Sequence, residues 1–368
     1  MNEASSQRSP VSSAIVEQGS CWVMFVLDVG YSVDIERAEK LCSLPTERLR
    51  LKPTHKNPEE FEYRPAPLRI TLASFPVTVG DFQSTADARV TVYDFGALSV
   101  TFEFPLSGQS LAQLVRLSSL IYEDEMLRAT ARNVASTILK IITPAVERPK
   151  VGELIEDYCI WEALAMRGAP PLAQLLTDHR LTIAQLLRAD EDQLSPSEVD
   201  EALSYQLSYG GSDIVIVDWN GAFLHGRELD SVRSVLEFAN VELLEIRLLD
   251  EQLDDDMEEA REILAKRSPT RAALRRIGHL QLDSTLLFEA INNAIKLVGD
   301  HYLARIYRLA SESLHLEERE GILLRKVNVI KDIYTQMETA NAGRRMEILE
   351  VAIILLIAVS VALQFMGR

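Results

Sequence analysis

The stretch Asp213–His225 reads DIVIVDWNGAFLH and decides the fold class that the sequence predicts. Its first arm consists mainly of β-branched residues, its second arm holds an aromatic residue, and Asn220-Gly221 lies between the two arms. An Asn-Gly pair in this setting favours a type I′ turn, in which both residues have positive φ. We therefore predict a β-hairpin whose turn is formed by Asn220-Gly221.

A second hairpin is predicted earlier in the chain. The segments Arg89–Tyr93 and Ala97–Phe104 flank Asp94–Gly96, and apolar residues occupy every second position of the later arm. This alternation gives one apolar face. The two hairpins share similar turn residues, so an internal duplication and two unrelated hairpins both fit the pattern. The apolar runs Cys21–Val29 and Leu68–Phe75 predict two further strands.

Helices dominate the rest of the predicted structure. Apolar residues at three- and four-residue steps predict helices over Gln109–Tyr122, Asp124–Ile142, Asp230–Lys266 and His301–Met337. The last helix also has a seven-residue spacing that is compatible with a coiled coil and with homo-oligomers through the long helices. Antiparallel packing of this helix on Asp230–Lys266 is the simpler explanation.

The chain is expected to divide into five parts. The predicted boundaries are a disordered tail (1–20), an α+β domain with the first hairpin (21–149), a short-helix connector (150–203), the second hairpin with a long helical hairpin (204–343) and a membrane anchor (344–368). The predicted fold class is α+β, with a β-hairpin-rich N-terminal part, long antiparallel helices and a single C-terminal transmembrane helix.

The predicted anchor is Ile348–Met366, which reads ILEVAIILLIAVSVALQFM and holds only three polar residues in 19. A helix of this length spans ~28 Å, close to the ~30 Å hydrocarbon core of a bilayer. The residues expected to contact lipid are Ile348, Val351, Ile354, Leu355, Ile357 and Val361. Arg344 and Arg345 before the span favour a cytoplasmic soluble part, or a matrix-facing one in a mitochondrion. A buried core helix is the alternative.

Composition excludes several classes of protein. The 368 residues carry 38 basic and 55 acidic side chains, a net charge of −17. Specific nucleic-acid recognition is not expected, because contacts with phosphates require dense Lys and Arg. Three cysteines, Cys21, Cys42 and Cys159, are too few for a disulfide framework and fit a reducing compartment.

No recognised catalytic or cofactor motif occurs. The phosphate-binding glycine loops, zinc-site spacings and the G-x-S-x-G elbow are all absent from the sequence, and no cofactor or metal is expected. Asp250–Glu259 (DEQLDDDMEE) is interpreted as a solvated helix face, or else as a surface for a cation or a basic partner. The basic residues Arg271, Arg275 and Arg276 form a candidate partner contact on an otherwise acidic chain, with a solvated surface as the alternative.

Two functions are compatible with these observations. The first is a non-enzymatic, membrane-tethered scaffold or adaptor that binds the bilayer and an unknown protein partner. The second is a membrane-anchored enzyme that uses Asp94 and Asp218, one beside each hairpin turn, as a metal or acid/base site. The enzyme requires the two carboxylates to meet in one cleft, although Asp beside a turn is also a common turn-forming choice.

Three segments resemble a known family. The hairpin Val92–Phe102 (VYDFGALSVTF), the helix Tyr302–Met337 and the apolar Leu349–Ile357 (LEVAIILLI) are similar to parts of the "required for meiotic nuclear division" family. Eukaryotic members of that family are mitochondrial inner-membrane proteins associated with mitochondrial translation, and others are linked to sporulation. The resemblance implies a membrane-tethered protein and supplies no catalytic residues.

Overall fold

The computed structural model describes residues 14–49, 65–167, 172–227, 229–265 and 301–333, together with residues 335, 339, 353 and 354. The chain forms two compact units. The first comprises residues 1–245 and 291–317, and the second comprises residues 246–290 and 318–368. Within the described residues, the sheets lie in the first unit.

The strands of the described residues are β1 (Ile15–Asp28), β2 (Ser32–Val33), β3 (Thr46–Arg48), β4 (Leu68–Thr71), β5 (Phe75–Val79), β6 (Phe82–Val92), β7 (Ala97–Pro105), β8 (Gln109–Ser110), β9 (Val146–Glu147), β10 (Ile155–Arg167), β11 (Tyr205–Leu207), β12 (Ile214–Val217) and β13 (Gly221–His225). The helices are α1 (Ile35–Leu41), α2 (Leu111–Tyr122), α3 (Glu125–Ile142), α4 (Leu172–Asp178), α5 (Arg180–Arg188), α6 (Pro196–Ala202), α7 (Asp230–Ala265) and α8 (His301–Ser313). Residues 316–333 are also helical.

An 11-stranded sheet dominates the first unit. Its order is β11-β12-β13-β10-β1-β7-β6-β4-β3, with β5 paired to β6 and β8 paired to β1. The pair β10 and β13 is parallel, and the other described pairs are antiparallel. Strands β2 and β9 form a small separate sheet. The predicted fold of hairpins, long antiparallel helices and a membrane helix is therefore corrected to a mixed α+β fold built on one large sheet.

The central strand β1 carries the core. Its alternate residues Val23, Phe25 and Leu27 join the main hydrophobic cluster, to which α2, α3 and α5 contribute from one face of the sheet. Strand residues alternate between the two faces, so Trp22 and Met24 point to the opposite face. That second face is polar, since β6 and β7 present Thr91, Ser99 and Thr101 there, and α7 lies over part of it. The two faces therefore have different chemistry.

Local sequence signals explain several element ends. The Ser110 hydroxyl and the Gln113 side chain form a capping box at the start of α2, and the Asp124 carboxylate accepts a hydrogen bond from the Leu127 N–H at the start of α3. The segment predicted as a helical connector (150–203) begins with the 13-residue strand β10. Strand β1 likewise begins at Ile15, within the segment predicted as a tail.

The second hairpin forms, but its turn differs from the prediction. Val217 pairs with Ala222 and Ile214 with His225, as expected for two antiparallel arms. Neither Asn220 nor Gly221 has a positive φ, so the predicted type I′ turn is wrong. Gly221 instead opens β13, and that strand pairs with β10 as well as with β12. The second partner strand constrains the backbone in a way that the dipeptide does not reveal.

Helix α8 runs in the same direction as the start of α7. Tyr302 lines a cavity together with Val232, whereas the Tyr307 hydroxyl donates a hydrogen bond of 2.7 Å to Glu242. The residue numbers therefore rise together along the two helices, and the predicted antiparallel packing is wrong for α8. Apolar periodicity identifies the face that a helix buries and leaves its direction open.

The predicted C-terminal anchor is also corrected. Among the helices of the described residues, none is both long enough and apolar enough to cross a membrane. This finding contradicts the predicted transmembrane helix and the predicted single-pass localisation, which rested on hydropathy and length alone. Of the anchor residues, Ile354 lies in a described helical position and is exposed. The others lie outside the described residues: Ile348, Val351, Leu355, Ile357 and Val361.

Candidate functional site

The structure separates the two carboxylates of the predicted enzyme site. Asp218 follows β12 and Asp94 follows β6, and the sheet order places β13, β10, β1 and β7 between those strands. With neighbouring strands ~4.8 Å apart, the two residues are roughly 20 Å or more from each other. They therefore cannot share a metal ion or a water molecule.

Asp218 has a structural role. Its buried carboxylate forms an ion pair with Arg188 of α5, in which Nε and Oδ2 are 2.5 Å apart, and its backbone carbonyl accepts a hydrogen bond of 3.0 Å from the Tyr158 hydroxyl. Burial raises the pKa of Asp218, and the Trp219 N–H and Arg188 oppose this shift. The Asn220 amide also donates to the Leu187 carbonyl. These contacts attach the hairpin to α5.

The two predicted charged surfaces have different outcomes. Arg271, Arg275 and Arg276 lie outside the described residues, so their partner contact stays a prediction. Four of the seven acidic residues in Asp250–Glu259 are exposed and Asp256 is buried. Lys326 lies 2.7 Å from Asp250 and 2.6 Å from Asp254 within the second unit. A lysine of the same chain therefore occupies part of this acidic surface.

A cavity of about 590 Å³ lies between the polar face of the sheet and the first turns of α7. This volume is within the ~300–1,000 Å³ range of small-molecule sites. The residues of its lining on which the argument depends are Trp22 of β1, Arg69 of β4, Arg89 of β6, Thr101 of β7, and Arg233 and Glu237 of α7. We call it the arginine–tryptophan cavity. An adjoining cavity of about 360 Å³ shares Trp22, Arg89 and Arg233 with it.

Trp22 lies against two guanidinium groups. The centre of its ring is 4.7 Å from the Arg89 guanidinium carbon and 4.1 Å from that of Arg233. Such contacts stabilise by about 0.5–2 kcal/mol each. The ring is only 6% exposed, and its Nε1–H finds no hydrogen-bond partner among the described residues. The indole is therefore held in place while its one polar atom is left unsatisfied.

The two arginines beside Trp22 are held by carboxylates. Arg89 donates a hydrogen bond of 2.8 Å to Glu103, and Arg233 donates to both Glu162 and Asp230. Burial raises the pKa of Glu162, and the positive charge of Arg233 opposes this shift. Because charge-assisted contacts fix these guanidinium groups, this wall of the cavity is preorganised.

Arg69 and Glu237 also line the cavity and are less satisfied. Arg69 lies 3.7 Å from a carboxylate oxygen of Glu237 and 3.7 Å from one of Glu47, which is beyond hydrogen-bond distance. Glu237 is 4% exposed and Thr101 is 7% exposed. The Glu237 Oε1 and the Thr101 hydroxyl have no partner in the described part of the chain.

Unmet hydrogen bonds indicate a site for a ligand. A buried polar group without a partner costs about 1–3 kcal/mol, so such groups are normally paired with protein or with ordered water. Trp22, Thr101 and Glu237 each carry one such buried, unpartnered atom among the described residues. The residues that carry these unpartnered atoms line the same cavity, which makes it the candidate site.

The polar layer continues along α7 beyond this cavity. Asn240 and Glu245 are buried, and burial together with the negative charge of Asp28 raises the pKa of Glu245 to about 8. Burial also raises the pKa of Asp28, with the Gly30 N–H opposing the shift. Glu245 is therefore protonated at neutral pH, which lowers the cost of its burial.

A second cavity, of about 470 Å³, is lined by His225, Asp213 and Tyr302. The His225 Nδ1–H donates a hydrogen bond of 2.7 Å to the Ala163 carbonyl, because a carbonyl oxygen only accepts. The Asp213 carboxylate accepts from the backbone N–H groups of Tyr209 and Gly210. Asp213 is thus already satisfied, which makes this cavity a weaker candidate. In the described residues, no group of three or more His, Cys, Asp or Glu side chains could hold a metal ion.

The fold and the site together define a mixed α+β protein with a polar cavity beneath a long helix. Residues 18–231 match the family described as "Uncharacterized protein MJ0711, N-terminal domain". Because this match covers more than half of the 368 residues, the chain belongs to that family. Trp22, Arg69, Arg89 and Thr101 fall within the matched region, whereas Arg233 and Glu237 follow it.

One relative is a protein of Methanocaldococcus jannaschii described as "Uncharacterized protein MJ0711". It is 25% identical over 194 residues, which is 49% of this chain and 59% of the relative. The chain therefore spans less than two thirds of that relative's length. No solved structure matches the chain.

The family membership corrects the resemblance proposed from sequence. No match supports the "required for meiotic nuclear division" family, and the MJ0711 domain accounts for the region that contains the first hairpin. The segments that suggested the resemblance are a short hairpin, a helix and an apolar run. Their hydrophobic patterns follow from secondary structure and recur in unrelated proteins.

Sequence reasoning did not find the arginine–tryptophan cavity. A usable signal was present, because β7 alternates apolar residues with Ser99, Thr101 and Glu103, and β6 places Arg89 and Thr91 at the same spacing. Polar residues at every second position normally indicate a solvent-facing side of a sheet. Only the position of α7 turns that side into the wall of a cavity.

Proposed function

We propose that this protein acts by binding, as a non-enzymatic adaptor that holds a small polar molecule in the arginine–tryptophan cavity. The observation that supports this proposal most directly is that three residues lining this cavity, Trp22, Thr101 and Glu237, each carry a buried polar atom with no partner among the described residues. Binding would supply the missing hydrogen bonds. The ion pairs of Arg89 and Arg233 already fix the surrounding side chains, so little ordering is required when a ligand binds.

The adaptor role extends this binding function to a protein partner. Glu237 and Arg233 belong to α7, and the same helix continues from the first compact unit into the second. A ligand that contacts α7 therefore acts on a helix that has residues in both units. The enzyme alternative is not proposed, because four strands of the sheet separate the two carboxylates on which it was based. The absence of catalysis stays a prediction.

Thermal unfolding of the full-length chain tests the binding proposal. The probes are inorganic phosphate, D-glucose, ethanolamine and the twenty L-α-amino acids, each added at a millimolar concentration. At 100 times its Kd a ligand stabilises the native state by about 2.7 kcal/mol. For a protein of this size we expect a rise in Tm of roughly 2–4 °C with at least one probe.

Two variants localise that effect. Thr101→Val keeps the shape of the side chain and removes its hydroxyl, and Trp22→Phe removes the indole N–H. Both should lose the rise in Tm. Arg116→Gln is the control. Arg116 lies on α2, which packs on the other face of the sheet, and it forms an exposed ion pair of 2.9 Å with Asp81. A flat response to every probe, or an equal response in Thr101→Val, would overturn the proposal.

A further inference from the structure

Arg69 and Glu237 form a charged pair with unused hydrogen-bonding capacity on the cavity wall. The Arg69 Nη2 and the Glu237 Oε2 are 3.7 Å apart, too far for a direct hydrogen bond. The Arg69 guanidinium is likewise 3.7 Å from the Glu47 carboxylate, and the Glu237 Oε1 accepts no hydrogen bond from the described residues. A guanidinium group and a carboxylate of opposite charge therefore lie side by side on two residues that line one cavity.

We infer that the cavity binds the head group of a free α-amino acid, with its carboxylate on Arg69 and its ammonium group on Glu237. This inference rests on the proposed binding function and names the class of ligand. A guanidinium group matches a carboxylate through paired N–H donors. An ammonium group only donates, which suits the unpartnered carboxylate oxygen of Glu237. The carboxylate and the ammonium group of an α-amino acid are bonded to the same carbon atom, and Arg69 and Glu237 likewise lie next to each other.

The balance of charge in and around the cavity favours a zwitterion over a simple ion. Four arginines take part, namely Arg48, Arg69, Arg89 and Arg233. Six carboxylates line the cavity or bind those arginines, namely Glu39, Glu47, Glu103, Glu162, Asp230 and Glu237. A free anion would meet an excess of negative charge, and a free cation would meet four guanidinium groups. A zwitterion carries no net charge, and its negative and positive groups can each pair with a residue of opposite charge in the cavity.

The rest of the cavity has room for a side chain. Its volume of about 590 Å³ exceeds what a head group fills, and Trp22 and Thr101 are among the residues that line it. The Trp22 N–H can only donate, so a ligand side chain with a hydrogen-bond acceptor would complete the site. L-glutamine is therefore the probe we choose for the decisive experiment.

The experiment compares L-glutamine with two analogues that each lack one charged group. The analogues are 4-aminobutanamide, without the carboxylate, and glutaramic acid, without the ammonium group. Calorimetric titration of the full chain should show that each analogue binds at least tenfold more weakly than L-glutamine. Equal binding of the three compounds would overturn the inference, because neither charged group would then be recognised.

Two variants assign each charged group to its residue. Arg69→Gln should bind L-glutamine and 4-aminobutanamide equally, because the variant lacks the guanidinium group that binds the carboxylate. Glu237→Gln should bind L-glutamine and glutaramic acid equally, because the variant lacks the carboxylate that binds the ammonium group. Arg116→Gln should keep both preferences. A variant that merely disturbed the structure would weaken all three compounds together, and that pattern would contradict the assignment.

The outcomes separate this inference from the proposed function. If inorganic phosphate or D-glucose raises the Tm in a Thr101-dependent way and no amino acid binds, the cavity is a binding site and the amino-acid inference is wrong. If no probe of any class binds, both are wrong. A rise in Tm with amino acids other than L-glutamine would support the head-group assignment, provided that Arg69→Gln and Glu237→Gln abolish it.

Discussion

Gly221 is required by a close approach between two strands. A Cβ atom at this position would lie 2.6 Å from the Cys159 carbonyl oxygen of β10, a contact that real side chains do not make. Strand β13 could then keep its parallel pairing with β10 only if one backbone moved. The glycine therefore serves the junction of two strands rather than the left-handed turn that Asn220-Gly221 suggested.

Gly221→Ala should lower the free energy of unfolding by about 1–3 kcal/mol, the usual cost of overpacking a closed interior. Urea denaturation of the full chain measures this change. Gly211→Ala is the matched control, because no atom lies within 4 Å of its added Cβ and its φ is not positive. Equal stability of the two variants would show that β13 does not approach β10 this closely.

The hairpin illustrates what a short motif can predict. The positions of both arms follow from the residues of Asp213–His225, and the structure pairs Ile214 with His225 as those arms require. The conformation of Gly221 depends on Cys159, which is 62 residues away in the chain. Cys159 lies outside any short motif around Gly221, so the local sequence could not predict the turn type.

Helix α7 is the element in which buried charge matters most. Its residues 231–246 are buried except for the half-exposed Arg233, although they include Glu237, Asn240, Glu242 and Glu245. The sequence predicts the length and the apolar stripe of this helix well, over Asp230–Lys266 against the observed Asp230–Ala265. It does not predict the burial of the polar stripe, because such residues usually face water.

The burial of Glu245 predicts a dependence of stability on pH. Its pKa rises from an ordinary value of 4.5 to about 8, chiefly through burial and also through the nearby Asp28. Because the folded pKa lies above the unfolded one, its contribution to stability is fully present below about pH 4.5 and is lost as pH rises through 8. The free energy of unfolding should therefore fall by several kcal/mol between pH 5 and pH 9.

Glu245→Gln tests this assignment, because the amide is neutral at every pH. The variant should flatten the decline in stability between pH 5 and pH 9 and should be more stable than the wild type at pH 9. Glu251→Gln, an exposed position on the same helix, should leave the decline unchanged. A decline of the same size in Glu245→Gln would mean that another group is responsible.

At the scale of the whole molecule, long-range strand pairing decides the architecture. Strand β10 pairs with β1 along 12 aligned residue pairs, and the two strands are more than 100 residues apart in the chain. The sequence predicts a short-helix connector over 150–203, and within it Leu172–Asp178 and Arg180–Arg188 do form short helices, whereas β10 does not follow from the local pattern. Local sequence patterns therefore predict fewer strands than the 11 that the sheet contains.

This architecture predicts a gradient of protection from hydrogen exchange. Residues Val23–Leu27 of β1 are buried and lie between β10 and β7, so exposing their amides requires the loss of both ladders. Strand β5 pairs with β6 alone within the described residues, and its residues alternate between half-buried and exposed until the buried Val79. The free energy of local opening is small where few buried contacts hold a strand.

We expect the amides of Val23–Leu27 to exchange only through global unfolding of the first unit. Their protection should equal the free energy of unfolding measured with denaturant under the same conditions. The amides of Phe75–Val79 should exchange at least tenfold faster, because β5 can separate while the core stays folded. Exchange at equal rates in the two segments would contradict the central position of β1, since a strand with a neighbour on each side cannot open as easily as a strand with one.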